Sequence, residues 1–181
     1  MIYVFLAQGF EEVEALAPVD ILKRGGVEVV TVGVGNKYIK GSHGITVAAD
    51  MEDKEFFTGD DIQGVVLPGG MPGTINLEAN RKVIDAVKFC NNNGLLVGAI
   101  CAAPSILGHL GLLEGKKATA FPGFETELKG AVCEGGFVET DGNIITAKGM
   151  GVAVEFGLAL LAYIKGKDMA EKVKATIQCA N

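Results

Sequence analysis

The stretch Gly94-Leu-Leu-Val-Gly-Ala-Ile-Cys-Ala-Ala-Pro-Ser105 decides the predicted fold. Its continuous apolar run predicts a buried strand over residues 95–100, and a helix follows over residues 102–113 with no residues left for a loop. Cys101 must therefore occupy the turn between the two elements. This is the geometry of a nucleophile elbow, which directs a side chain out of the top of a sheet.

The position of Cys101 predicts a reactive thiol. Pro104 lies near the start of the following helix, where its missing N–H costs nothing. Free backbone N–H groups and the positive end of the helix dipole stabilise an anion there, so we expect a lowered pKa and a dominant thiolate at Cys101. Cys90, Cys133 and Cys179 are instead expected to be buried, inert thiols, because free cysteine is among the most buried residue types.

Strands and helices are predicted to alternate along the rest of the chain. Further strands are expected at residues 2–6, 27–34, 64–67 and 118–121, and further helices at 10–24, 76–92, 152–164 and 168–178. Hairpins are expected at residues 38–47 and 132–145, and a helical turn at 125–129. Strands that are apolar throughout favour a parallel sheet covered on both faces. We therefore expect one α/β domain over residues 1–181, with a mostly parallel central sheet.

Ligands of such sheets bind beyond the carboxyl ends of the strands. The segments that follow three core strands are residues 7–14, 68–74 and 101–103, which are expected to meet in one crevice. Gly69 and Gly70 would let backbone N–H groups face a ligand there, and we expect the N–H groups of Gly70 and Ala102 to stabilise an oxyanion. A plain turn after a strand would explain the two glycines equally well.

Glu14 closes the run Gly9-Phe-Glu-Glu-Val-Glu14, which opens the first helix. Glu11 and Glu12 are expected to lie in a solvated first turn, where acids favour the dipole. Pro18 follows Glu14 by four residues and predicts a kink that would direct the Glu14 carboxyl into the crevice. A carboxyl next to a thiolate would have a raised pKa, and it could then donate a hydrogen bond to the sulfur or act as a general acid and base.

A histidine base is not supported by the spacing. His109 follows Cys101 by eight residues on the predicted helix, roughly 12 Å away at 1.5 Å per residue. We expect it at the helix surface or in packing. His43 lies at a predicted hairpin tip and could reach the crevice only through tertiary folding or across a dimer.

Composition limits the classes of function. The formal net charge is −6 and no basic stripe is present, so nucleic acid is not expected as a partner. The apolar stretches 95–107 and 150–164 are interrupted by Pro104 and Glu155, so no membrane span is expected. The chain has no C-x-x-C pair, so neither zinc nor another metal is expected. It opens on a strand-like segment, and no signal peptide is expected. We therefore expect a cytoplasmic protein with reduced thiols and no cofactor.

Three motifs together carry a family resemblance: Gly9 to Glu14, Val65-Val-Leu-Pro-Gly-Gly70, and Ala99-Ile-Cys-Ala-Ala-Pro104. They resemble the ThiJ/PfpI superfamily in its DJ-one branch, and the resemblance covers essentially the whole chain. It implies a flavodoxin-like three-layer sandwich and a homodimer. It also implies that Cys101 is an oxidation-sensitive nucleophile, that Glu14 hydrogen-bonds it, and that Gly70 and Ala102 supply the oxyanion donors.

Two positions depart from relatives that are active as glyoxalases or peptidases. Several of these carry a histidine where this chain has Phe121, followed by Pro122, a pair that resembles the bacterial YajL-like members. A full Cys-His-Glu triad is therefore not expected. His43 falls where other members place an arginine, which implies a contact with the site from a dimer partner.

Three functional hypotheses follow. The first, which the resemblance implies, is a stress-protection enzyme in which Cys101 acts on small 2-oxoaldehydes or on glycated proteins, as a cofactor-independent glyoxalase or deglycase. The second is a redox sensor or oxidation-regulated chaperone that uses the same thiol. The third, a peptidase or amidotransferase-like hydrolase, rests on fold analogy alone.

Overall fold

A computed structural model describes residues 1–59 and 61–179. The strands are β1 (Ile2–Leu6), β2 (Val29–Gly33), β3 (Tyr38–Lys40), β4 (Thr46–Ala48), β5 (Met51–Glu52), β6 (Gly64–Leu67), β7 (Leu96–Ile100), β8 (Val138–Asp141) and β9 (Ile144–Ala147). The helices are α1 (Glu12–Arg24), α2 (Gly73–Ala79), α3 (Arg81–Asn92), α4 (Pro104–His109), α5 (Ala153–Lys165) and α6 (Lys167–Thr176). Short 3₁₀ turns lie at Asp53–Glu55, Glu125–Glu127 and Met150–Val152.

The central sheet has the strand order β5-β2-β1-β6-β7-β9-β8. Every neighbouring pair is parallel except β8 with β9, which form an antiparallel hairpin at one edge. β3 and β4 form a separate antiparallel pair. The predicted α/β fold with a mostly parallel, flavodoxin-like sheet is therefore confirmed.

Alternate residues of β1 face two different cores, because side chains of a strand alternate between the faces of a sheet. Ile2, Val4 and Leu6 pack in one core with residues of α1, α5 and α6. Tyr3 and Phe5 pack in the other core with residues of α2, α3 and α4. Each large apolar side chain that is fully buried contributes about 1.5–3 kcal/mol, so both layers of helices hold the sheet.

The predicted strand at residues 118–121 is wrong. Residues 118–121 pair with no strand, and the nearest bridge is an isolated one between the preceding residue, Lys117, and Val132. Its backbone is held instead by single hydrogen bonds: the N–H of Thr119 donates to Oγ1 of Thr146 at 2.9 Å, and the N–H of Phe121 donates to the carbonyl of Cys101 at 2.8 Å. These bonds go to a side chain and to a turn rather than to successive residues of one strand. The apolar segment 118–121 therefore lies beside the sheet without becoming one of its strands.

Two predicted helices have different bounds in the structure. The helix expected over residues 102–113 is reduced to α4, because Gly111 adopts a left-handed φ of 71° and ends the helical path. The helix expected over residues 76–92 is two helices. Asn80 separates them, and its side chain caps α3 by accepting from the N–H groups of Lys82 and Val83.

No helix among residues 1–59 and 61–179 is long and apolar enough to cross a bilayer. The prediction of one domain over residues 1–181 stays a prediction, as does the cytoplasmic location.

His109 predicts a pH-dependent element of stability. At the end of α4 its ring lies between two carboxylates, with Nδ1 2.6 Å from Oε1 of Glu78 and Nε2 3.0 Å from Oε2 of Glu127. Hydrogen bonds to Glu127 and Glu78 raise the pKa of His109 above its ordinary value. The stabilisation is therefore complete below the unfolded pKa of about 6.5 and is lost as the pH rises through the higher folded pKa.

We expect the wild type to melt at a higher temperature than His109→Gln at about pH 6. This difference in melting temperature should shrink by about 2–4 °C or less by about pH 8.5, because an exposed ion pair contributes about 1 kcal/mol at most. Thermal unfolding of both chains across this range measures the difference. A gap that widens with rising pH would contradict the ion-pair assignment.

Candidate active site

Three segments meet at one edge of the sheet because β1, β6 and β7 are adjacent. Since these strands are parallel, their carboxyl ends lie at the same edge, and residues 7–14, 68–70 and 101–103 leave from it together. The meeting of the three segments that was expected from the sequence is therefore observed. The strand order that creates it was not deducible from the sequence.

Cys101 occupies a strained turn between β7 and α4. Its φ of 65° is left-handed, a conformation that costs a residue with a side chain on the order of 1–3 kcal/mol. Neighbouring segments hold this turn on both sides, since its N–H donates to the carbonyl of Ala147 at 2.8 Å and its own carbonyl accepts from the N–H of Phe121. The thiol is half-buried. Tertiary hydrogen bonds thus fix the elbow.

Gly69 allows the thiol and the carboxyl to approach each other. A Cβ at this position would lie 2.6 Å from Cβ of Cys101 and 2.7 Å from Oε2 of Glu14, distances at which the atoms would overlap. Its N–H donates to Oε2 of Glu14 at 3.0 Å. At Gly70 the φ is 87°, and a Cβ would lie 2.4 Å from the backbone nitrogen of Glu11. Both glycines are therefore needed by the packing of the site.

Glu14 lies in the first turn of α1 with 1% of its surface exposed. The Glu11 side chain caps the helix by accepting from the N–H of Glu14 at 2.7 Å. α1 continues through Pro18 to its end, so the proline does not interrupt it. Glu12 is also buried, at 3% exposure, which makes the expectation of a solvated side chain wrong.

The Cys101 thiol and the Glu14 carboxyl are coupled. Burial, the neighbouring Glu14 charge and the hydrogen bond to that carboxyl raise the pKa of Cys101 to about 12, although hydrogen bonds from the N–H groups of Gly70 and Ala102 oppose the rise. Burial is also the main reason why the pKa of Glu14 rises to about 7. At a pH between these two pKa values, the Cys101 and Glu14 side chains therefore hold one proton between them.

The expected lowering of the Cys101 pKa is therefore wrong. Helix-dipole stabilisation is weak because α4 has only six residues and begins at Pro104, three residues beyond the cysteine. Burial and the Glu14 charge outweigh the two N–H donors. The thiol needs a base for its proton, and Glu14 is the adjacent candidate.

Both histidines of the chain are engaged away from Cys101. His43 is on the loop between β3 and β4, where its Nδ1 is 3.1 Å from Oε2 of Glu12 and its N–H donates to Oε1 of the same residue at 2.9 Å. His109 is at the helix surface, bound to two glutamates. The contact of His43 with a partner's site stays a prediction, since within its own chain it contacts Glu12.

One group of side chains has the donor set of a metal site. Glu11, Glu12 and His43 each bring a ligand atom within 4.8 Å of the others, the one such group that the described residues contain. The Glu12 carboxylate already accepts from the N–H groups of His43 and Ile45. Because the chain itself satisfies this carboxylate, we assign no metal to the group.

The remaining cysteines differ in exposure. Cys90 is fully buried, as expected, and burial raises its pKa to about 12. Cys133 is exposed, so the expectation of a buried thiol is wrong at that position. It lies in an irregular segment between Val132 and the start of β8. Cys179 is half-buried.

Sequence reasoning missed the segment that follows β9. Because β9 pairs with β7, Gly149 and Met150 leave the sheet at the edge where Cys101 lies. The backbone of Met150 hydrogen-bonds Glu14, and a Cβ at Gly149 would lie 3.7 Å from Oε1 of Glu14. The signal was the Lys-Gly-Met-Gly run directly after an apolar strand, a pattern like that of Gly69 and Gly70.

The sequence profile of the DJ-1/PfpI family matches residues 1–163. The chain belongs to the DJ-1/PfpI family. A DJ-1/PfpI relative, Protein DJ-1alpha of Drosophila melanogaster, is 34% identical over 173 residues, which cover 94% of this chain and 80% of the relative. Protein DJ-1 homolog A of Arabidopsis thaliana is 37% identical over 177 residues, 95% of this chain. The chain spans only 45% of the length of that plant relative.

Solved structures of DJ-1 proteins have the same fold. A cysteine-to-alanine variant of a DJ-1 superfamily protein from Salmonella typhimurium matches with a TM-score of 0.93 at 32% identity, covering 99% of this chain and 98% of the other. Toxoplasma gondii DJ-1 in an oxidised form matches with a TM-score of 0.91 at 31% identity, with the same coverage. The resemblance identified from the three sequence motifs is confirmed.

Glu14→Gln is expected to lower the pKa of Cys101 by about one unit or more, because the substitution removes a neighbouring negative charge that raises it. Ultraviolet thiolate absorbance across the alkaline range measures the titration, and subtraction of the Cys101→Ser chain isolates this thiol. Glu127→Gln, on the His109 cluster, is the control and is expected to leave the midpoint unchanged. An unchanged or higher midpoint in Glu14→Gln would show that the two groups are not coupled.

Proposed function

We propose that this DJ-1/PfpI protein is a cysteine-dependent stress-protection enzyme that converts small 2-oxoaldehydes to 2-hydroxy acids without a cofactor. The observation that supports this most directly is the contact between Cys101, held at a left-handed turn, and the buried Glu14 carboxyl, whose pKa of about 7 suits proton transfer at neutral pH. The nucleophile and its base are thus adjacent, and no histidine is needed between them.

In the first step the Cys101 sulfur attacks the aldehyde carbon. The S–C bond forms, the π bond of the carbonyl breaks, and the thiol proton passes to the Glu14 carboxylate. The carbonyl oxygen takes the negative charge. The N–H groups of Gly70 and Ala102, which hydrogen-bond the Cys101 sulfur in the free protein, would stabilise this charge. Return of the proton from Glu14 to this oxygen gives a hemithioacetal.

The second step moves hydrogen between two carbons. Glu14 removes the proton from the former aldehyde carbon and returns it to the neighbouring carbon, while the hydroxyl proton moves to the ketone oxygen. The first carbon loses two electrons and the second gains two, so no external oxidant or reductant is required. The product is a thioester of Cys101, and hydrolysis by one water releases the 2-hydroxy acid and restores the thiol.

Turnover of methylglyoxal to lactate tests the proposal. Cys101→Ser is expected to abolish turnover, and Glu14→Gln to reduce kcat by about 100-fold or more, since a general base contributes 10²–10⁴-fold. The value of kcat/KM should rise with pH through about 7, because the Glu14 carboxylate must be free to accept the thiol proton. His109→Gln serves as a control that leaves the site intact. Full turnover by Cys101→Ser would refute the mechanism.

A second candidate function is supported by the partial exposure of Cys101. In a redox sensor this thiol would be oxidised to sulfenate or sulfinate, with the protonated Glu14 as a hydrogen-bond donor to the oxidised sulfur. A structural relative, Toxoplasma gondii DJ-1, has been solved in an oxidised form. Oxidation-regulated chaperone activity would depend on the same change.

Mass spectrometry after modest peroxide excess distinguishes this function, and the exposed Cys133 is an internal control. Cys101 is expected to gain oxygen before Cys133, because Glu14 can accept its proton and then stabilise the product. The buried Cys90 should stay unmodified. Earlier oxidation of Cys133 would contradict a sensor role for Cys101.

Other activities follow less directly from the site. Removal of glycation adducts from proteins would use the same attack by Cys101 on a carbonyl-derived carbon. A homodimer is expected from the family resemblance. We do not propose peptidase or amidotransferase activity, since His43 and His109 bind glutamates away from the thiol.

A further inference from the structure

A cavity of about 460 Å³ lies beside the candidate active site, within the size range of small-molecule sites. Its lining includes Phe121, Pro122, Phe137, Lys148, Gly149 and Met150. The proposed mechanism uses none of these side chains. The methyl group of methylglyoxal would fill only a small part of this volume.

The walls of this cavity are apolar and open to solvent. Phe121 is 49% exposed, Phe137 is 66% exposed and Met150 is 55% exposed. Large apolar side chains at one concave surface favour an apolar ligand, because burial of their surface is favourable by about 25 cal/mol per Å². Two aromatic rings and a thioether in particular favour a flat aromatic group.

Two residues of the cavity lining, Phe121 and Gly149, lie next to Cys101 and Glu14. The N–H of Phe121 donates to the carbonyl of Cys101 at 2.8 Å. A Cβ at Gly149 would lie 3.3 Å from the Phe121 ring and 3.7 Å from Oε1 of Glu14. Gly149 thus lies close to both the Phe121 ring and the Glu14 carboxyl and places no side chain between them, so this gap would be the passage from the cavity to the site.

Lys148 is the charged residue of the cavity lining and, in addition to backbone hydrogen bonds, its charge lowers the pKa of the exposed Glu125 carboxyl. Nζ of Lys148 lies 4.9 Å from the centroid of the Phe137 ring and donates to the carbonyl of Gly135 at 2.9 Å. Among residues 1–59 and 61–179, no carboxylate lies within ion-pair distance of it. The Lys148 charge therefore disfavours a cationic ligand and is compatible with a neutral or anionic aromatic group.

We propose that this cavity binds the aromatic substituent of an arylglyoxal, so that the preferred substrates are 2-oxoaldehydes with a ring on the ketone carbon. The inference rests on the proposed function, since the aldehyde carbon must reach Cys101 while the ring lies between Phe121 and Phe137. The reaction is the same: the ring stays attached to the ketone carbon, and phenylglyoxal plus water gives mandelate.

Phe137→Ala is the first test, with phenylglyoxal and methylglyoxal as the two substrates. The expected result is a loss of about 10-fold or more in kcat/KM for phenylglyoxal, with methylglyoxal nearly unchanged, because only the aromatic substituent uses the wall. Phe57→Ala is a matched control: Phe57 is 73% exposed and also lies beside a lysine, with Lys82 Nζ 4.6 Å from its ring, outside the cavity lining. An equal loss on both substrates would overturn the inference.

Gly149→Ala tests the passage with a single methyl group. The φ of 163° at this position is extended backbone, so alanine is allowed there, and its methyl would narrow the gap between the Phe121 ring and Glu14. Phenylglyoxal turnover is expected to fall more than methylglyoxal turnover. Gly151→Ala adds a methyl group elsewhere in the cavity lining, where it meets no protein atom within 4 Å, and so separates narrowing of the passage from a general change of the cavity. Unchanged selectivity in Gly149→Ala would contradict the proposed passage.

A binding measurement separates this inference from the proposed function. Mandelate and lactate are compared for protection of Cys101 from iodoacetamide, read by mass spectrometry in the wild type, Phe137→Ala and Phe57→Ala. Better protection by mandelate that only Phe137→Ala removes would support the cavity even if no chain turned over either aldehyde. Turnover of methylglyoxal with equal protection by both acids would leave the proposed function standing and overturn the arylglyoxal inference.

Discussion

The close contact between Cys101 and Glu14 is the constraint on which the rest of the site depends. Burial makes a negative charge costly on either side chain, and each pKa is raised accordingly. The carboxyl comes from the first turn of α1 and the thiol from the end of β7, on two separate layers of the fold. Only Gly69, without a side chain, leaves room for them to meet.

The strain at Cys101 is maintained by the sheet. A left-handed cysteine would relax if its backbone were free, but its N–H donates to Ala147 at the end of β9 and its carbonyl accepts from Phe121, which precedes the β8–β9 hairpin. The two apolar cores then hold β7 on both faces. The packing of the two layers therefore fixes the Cys101 thiol at the edge of the sheet where ligands of this fold class bind.

The electrostatics of the pair show where local reasoning fails. The elbow and the proline predict a helix N-terminus, and a dipole there would lower the pKa of the thiol. In the structure α4 is short, while the Glu14 carboxylate and burial act in the opposite direction. The rise in the Cys101 pKa thus depends in part on Glu14, which lies 87 positions earlier in the chain. No periodicity or spacing reports that contact.

Sequence alone determined the strand–turn–helix around Cys101, the apolar strands that require a parallel sheet, and three motifs that identify the family, because each depends on residues close along the chain. It also identified Glu14, Gly69 and Gly70 as candidates. Only the tertiary structure decided that β1, β6, β7 and β9 lie side by side, that the Met150 loop joins the site, and that residues 118–121 lie outside the sheet. The physical reason is that strand order and burial arise from packing between distant segments, which local patterns do not encode.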